Sequence, residues 1–296
     1  MLFIVAFRRV CFSILICAAG LACAAGAYAE DAKAPANILF FTKSTRYEHS
    51  VIAQKDGAPS FAEKILAELG GKNNFKITTT KDGGAMTAEN LAKYDALIFF
   101  TSGDLTLEKS KDNSPPMTQE GKAVLLEAIK NGKPFICIHN ALATFDKGKE
   151  IDPYIAMLGG ESIGHGKIQM GKNICVDTKF PGFEKLQDGI AINEEWYSIK
   201  NFAKDIHVLL VQDPAGMKDS LYIRPPYPAS WARVFGKGRV FVTSMGHLEE
   251  TWTNPVFQTL LVGGIQWALG RVEADIAPNL ETAAPKYAEL PQSVKK

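Results

Sequence analysis

Apolar residues along this chain fall into two alternating kinds of run. "NILFFT" (37–42), "YDALIFFTS" (94–102) and "KPFICIH" (133–139) are short and nearly continuous, the pattern of strands buried on both faces. "FKITTT" (75–80) is a shorter β-branched run that reads the same way. Between them, "GAPSFAEKILAEL" (57–69) carries Phe61, Ile65, Leu66 and Leu69 at helical spacing, with Gly70 and Gly71 expected to end the helix. "MTAENLAK" flanks the third strand, and a polar loop (103–116) leads into "MTQEGKAVLLEAIKNG" (117–132). There Thr118 is placed to cap a helix and Gly132 to stop it. Strands alternating with helices predict an α/β fold, a mostly parallel doubly wound sheet with helices on both faces.

Residues 145 to 235 break that rhythm. Short strand-like runs ("KIQMGKNICVD", "EEWYSIK", "HVLLVQD") are divided by Gly, Pro and Asp, which predicts an inserted loop- and strand-rich region or an extension of the sheet. The parallel pattern resumes with "GRVFVTSMGH" (238–247) and a last helix, "NPVFQTLLVGGIQWALG" (254–270). Residues 271–296 have little periodicity and are expected to trail over the surface.

The first 29 residues belong to a different class. Arg8 and Arg9, an apolar stretch and Ala27-Tyr28-Ala29 give the three parts of a secretory signal peptide, with cleavage expected after Ala29 and a short polar leader at 30–36. The resulting expectation is a periplasmic or secreted protein with no membrane attachment after cleavage. The chain carries a formal charge of +1, and losing two arginines and no acids leaves about −1. A near-neutral chain without a basic stripe points away from nucleic acid. Cys11, Cys17 and Cys23 would leave with the signal, so Cys137 and Cys175 make no disulfide framework, though they could pair or remain free.

Candidate chemistry sits at the strand ends. His49 in "TRYEHS", His139 after "FICI" and His247 closing "VFVTSMGH" each follow a predicted strand, which places them on one edge of the sheet, where ligands bind in open α/β folds. His165 lies in the Gly-rich "LGGESIGHG", while His207 opens an ordinary strand and is read as structural. Imidazoles suit both proton transfer near neutrality and metal binding. Glu194 and Glu195 alternate sides in a strand, so only one can face the site. Nothing requires a cofactor, but His139, His165, His247 and Glu195 are candidate ligands for a divalent metal such as zinc. No Walker or dinucleotide fingerprint is present.

The set "TRYEHS", "ICIHNALATF", "LGGESIGHG", "EEWYS", "PASW" and "GKGRVFVTSMGH", in that order, resembles the trehalose-utilisation (ThuA-like) domain family across residues 37–270. The resemblance implies a flavodoxin-like fold related to class I glutamine amidotransferases. In those enzymes a cysteine nucleophile follows the strand that "FICIHN" resembles; here His139 stands at the turn and Cys137 lies inside the strand. Glutamine hydrolysis is therefore not expected. By the same resemblance His49, His139, His165, Glu195 and His247 are the catalytic candidates; Arg46, Asn140, Tyr197 and Trp231 are the substrate-binding candidates, the two aromatics because aromatic faces near polar groups suit a sugar. The implied substrates are sugars oxidised to 3-keto-glycosides by a partner sugar dehydrogenase. A metal-dependent hydrolase and a non-catalytic sugar-binding protein are the alternatives.

Overall fold

The computed structural model describes residue 2 and residues 34–294. The signal peptide expected over 1–29, Leu2 apart, lies outside the described residues. From Pro35 onward the chain forms one compact unit. Its strands are β1 (Ala36–Phe41), β2 (Phe75–Thr80), β3 (Ala96–Phe99), β4 (Phe135–Ile138), β5 (Glu161–His165) and β6 (Gln169–Cys175). They continue with β7 (Ile190–Glu194), β8 (Tyr197–Lys200), β9 (His207–Asp213), β10 (Tyr227–Phe235) and β11 (Gly238–Thr243). The helices are α1 (Phe61–Lys72), α2 (Ala88–Leu91), α3 (Gln119–Lys130), α4 (Pro153–Leu158), α5 (Glu249–Thr253), α6 (Pro255–Ala268) and α7 (Leu280–Ala283).

Nine strands form one mixed sheet in the order β2-β1-β3-β4-β11-β10-β9-β6-β7. The first five run parallel, in the order expected of a flavodoxin-like sheet. The rest pair antiparallel, so the middle of the chain extends the sheet beyond β11. Strands β5 and β8 form a separate antiparallel ribbon.

Alternation along each strand divides the core in two. Ile38, Phe40 and Ile136 face α1 and α6, while Leu39, Phe41, Phe99 and Cys137 face α3 and α4 on the other side. The expected doubly wound α/β sheet is thus present. Cys137 is buried in the second layer, Cys175 is half-buried in β6, and both thiols are free. Among the described residues no helix is long and apolar enough to cross a membrane.

Local chemistry explains most element ends. Thr118 accepts a hydrogen bond from the Gly121 amide and caps α3, and Gly132 leaves that helix at φ +118°, as the pattern predicts. The double glycine does not end α1, which runs on to Lys72. Gly70 is there for packing, since a Cβ would lie 2.5 Å from the Phe75 carbonyl oxygen. The tail also differs from expectation. Leu280 and Ala284 are buried, and Asn279 bonds both backbone groups of Val208 at the start of β9.

Candidate functional site

The carboxyl ends of β1, β4 and β11 converge, and each chain segment leaving them carries a histidine inward. His49 precedes a short 3₁₀ turn after β1, His139 opens the turn after β4, and His247 follows β11 across Ser244–Gly246. His139 takes φ +47°, a left-handed conformation that a residue with a Cβ seldom adopts. It stands at the sharp corner between β4 and the turn that follows it. Its Nδ1 donates to the Ser244 carbonyl at 2.8 Å, which turns Nε2 towards the site.

The fourth and fifth groups come from where the sheet extension meets the β5–β8 ribbon. Glu195 sits at the corner between β7 and β8, and His165 ends β5, paired in register with Tyr197. As the alternation requires, only one of the two glutamates enters the site. Glu195 Oε2 lies 3.5 Å from His139 Nε2 and 3.3 Å from His247 Nδ1, and those two nitrogens are 3.2 Å apart. Its other oxygen, Oε1, lies 3.1 Å from His165 Nδ1. One carboxylate therefore joins a buried pair of imidazoles to an accessible one.

Glu194 turns the other way and is fully buried. It accepts hydrogen bonds from the Gly246 and His247 amides and from the Thr251 hydroxyl, clamping the loop that presents His247. Tyr222 donates to the Trp196 carbonyl and accepts from the Gly166 amide, tying the His165 loop to the Glu195 corner. Neither role follows from the sequence pattern, because each joins segments far apart along the chain.

His49 is 2% exposed, and neither of its ring nitrogens has a hydrogen-bond partner among the described residues. Burial, with His139 and His247 alongside, pushes its pKa down to about 2, so the ring is neutral. Burial opposes ionisation of Glu195, but the neighbouring His139 and His247 imidazoles outweigh it and hold the carboxyl well below the usual range. His49, His139, His247 and Glu195 each offer one ligand atom, and these four atoms lie within 4.8 Å of one another. His165 lies outside that quartet, and His49, which is not among the expected ligands, lies within it.

A cavity of about 590 Å³ opens above these groups. Arg46, held at 2.5 Å by Asp146, lines it together with Tyr47, Asn140 and Tyr197. Tyr197 donates to Asn140 Oδ1 at 2.6 Å. Trp231, expected to bind substrate, is elsewhere. It is wholly buried in β10 and donates to the Leu158 carbonyl, because β10 is flanked by β11 and β9 and covered by α4. His207 is structural as expected, bonded to the Ala277 carbonyl and to Asp177.

Comparison with known proteins agrees with this architecture. The structure is similar to a ThuA-like protein from Bacteroides uniformis, with a TM-score of 0.62 and 21% identity over 82% of this chain and 95% of that one. A ThuA-like protein from Parabacteroides merdae gives a TM-score of 0.60 and 18% identity over 86% and 99%. A cytoplasmic protein from Salmonella typhimurium LT2 gives 0.52 and 14% over 80% and 100%. At these identities the likeness concerns the fold. No curated protein sequence matches the chain. Residues 37–268 match the family described as trehalose utilisation, ThuA, so the chain belongs to that family.

Proposed function

We propose that this protein is an exported carbohydrate-processing enzyme that moves a proton at a carbon next to a ketone, acting on 3-keto-glycosides. One observation carries the chemistry: the Glu195 carboxylate bridges the accessible His165 and the buried His139–His247 pair. His165 Nδ1 donates to the Gly166 carbonyl at 3.0 Å and faces Glu195 Oε1 at 3.1 Å, leaving Nε2 as the base at the mouth of the cavity, where 40% of its side chain is exposed. The buried imidazole side is the place for the carbonyl oxygen. Such positioned acid–base help is worth about 10²–10⁴-fold.

The steps balance without an added oxidant. The base takes the C2 proton, and the C2–H electrons form the enolate with C3. Reprotonation of the enolate gives an isomer. Alternatively its electron pair expels the C1 glycosidic oxygen, which leaves with a proton. The polar wall of Arg46, Asn140 and Tyr197 suits a hydroxyl-rich ligand. The ketone itself requires a sugar dehydrogenase acting beforehand. Export rests on the Arg8–Ala29 pattern.

The test is proton NMR of a 3-keto-glucoside in D₂O with the purified protein. Enzyme-dependent deuterium at C2, or a new product lacking that proton, is expected, and its loss in His165→Ala would identify the base. No exchange and no product across glucosides and disaccharides would overturn the reading in favour of a sugar-binding protein.

A further inference from the structure

The buried half of the site has the donor set and the spacing of a metal centre. His139 Nε2, His247 Nδ1 and Glu195 Oε2 form a triangle with sides of 3.2, 3.3 and 3.5 Å. Four ligands at 2.0–2.1 Å around a tetrahedral zinc are separated by about 3.3 Å, so the triangle has the size of one tetrahedral face. The hydrogen-bond accounting points the same way. His139 spends its Nδ1 proton on the Ser244 carbonyl, which leaves its Nε2 lone pair to face both His247 Nδ1 and the Glu195 oxygen. A backbone carbonyl fixing the far nitrogen of a ligating histidine is the usual outer support of such a site.

His49 supplies an independent indication. It is buried beside the triangle, in edge contact with both His139 and His247, and its two ring nitrogens lack any partner among the described residues. A buried imidazole without a hydrogen bond is costly unless something else takes its lone pair.

We propose that His49, His139, His247 and Glu195 bind one divalent transition metal of the zinc class. Glu195 would ligate through Oε2 alone and keep Oε1 for His165. The bound ion would be the electrophile that polarises the substrate carbonyl, and this role rests on the reaction proposed above. The binding itself does not. His165 stays outside the ligand set, which separates metal binding from proton transfer.

The experiment is metal analysis of the full-length protein, purified without a histidine tag, before and after incubation with ZnCl₂, followed by cobalt replacement. About one zinc per chain should survive gel filtration, and cobalt should give the visible absorption bands of a tetrahedral nitrogen–oxygen site. His49→Gln and Glu195→Gln should weaken zinc affinity at least tenfold, whereas His165→Ala should keep a full equivalent. If a ligand variant fails to fold, the wild-type cobalt spectrum still decides. Zinc far below one equivalent after incubation, with no cobalt bands, would overturn the proposal. Metal bound without deuterium exchange would leave the metal standing and remove the reaction. Exchange by metal-free protein would keep the reaction and remove the ion's part in it, and the zinc equivalent alone would then decide the site.

Discussion

At the scale of single residues, the site depends on groups that never touch substrate. Glu194 is the clearest, because its buried carboxylate satisfies two backbone amides and a hydroxyl in the His247 loop. Removing it leaves those donors buried and unpaired. Glu194→Ala should cost about 3 kcal/mol, read by urea unfolding, while Glu194→Gln keeps an acceptor and should cost visibly less. Equal losses would show that the carboxylate only fills space. The two cysteines give a second prediction. Burial pushes the Cys175 thiol up to about 11 and the Cys137 thiol well above its ordinary value, so both stay protonated at pH 8. Only about a thousandth of Cys175 is then thiolate. Iodoacetamide at pH 8 should leave both peptides unmodified in native protein and alkylate both in urea. Rapid labelling of Cys137 would mean that the α3 side of the sheet opens.

At the scale of elements, the parallel half was legible strand by strand, and the extension was legible as a strand-rich region but not in its pairing. Buried strands and capped helices carry their signals locally: Thr118 before α3 and Asn254 before α6 mark starts that the structure keeps. Asn254 Oδ1 accepts from the Val256 and Phe257 amides, so Asn254→Ala should lower stability by about 1 kcal/mol in thermal unfolding, with the site untouched. Three histidines could be assigned to one edge because strand ends imply an edge. The sequence groups His165 with Glu195 among the candidates, but no local pattern specifies their contact, since it depends on the β5–β8 ribbon. Trp231 failed for the complementary reason: an aromatic in a strand reads alike whether it faces a cleft or a core. Gly246 shows how tightly one element end sets the chemistry. It has φ +128°, and a Cβ there would lie 2.9 Å from Ile138 Cγ2. Gly246→Ala should therefore displace His247, and a shift of about 1 Å can reduce turnover a hundredfold. Unchanged deuterium exchange in that variant would show that His247 is not positioned by this corner.

At the scale of the whole molecule, the site is completed between the parallel half of the sheet and the antiparallel strands of the middle region. The parallel half brings His49, His139 and His247, and the antiparallel extension with its ribbon brings Glu195 and His165. The relative placement of the halves then matters as much as any side chain, and the carboxyl-terminal segment helps to set it. The Ala277 carbonyl accepts from His207, Asn279 closes the start of β9, and the Tyr287 carbonyl accepts from Arg224. Arg224 in turn donates to Ser198 and Ile199 in β8, the strand that begins two residues after Glu195. Leu280 anchors this strap, 2% exposed in the same core layer as Val208 and Trp231. Leu280→Ala should cost about 3 kcal/mol in urea unfolding, the range for a buried leucine whose surroundings relax only in part. Because the strap holds β8 through Arg224, the same variant should also reduce deuterium exchange under conditions where the protein is still folded. A stability loss with full exchange would limit the tail to holding the core, and no loss at all would mean that it only lies against the sheet.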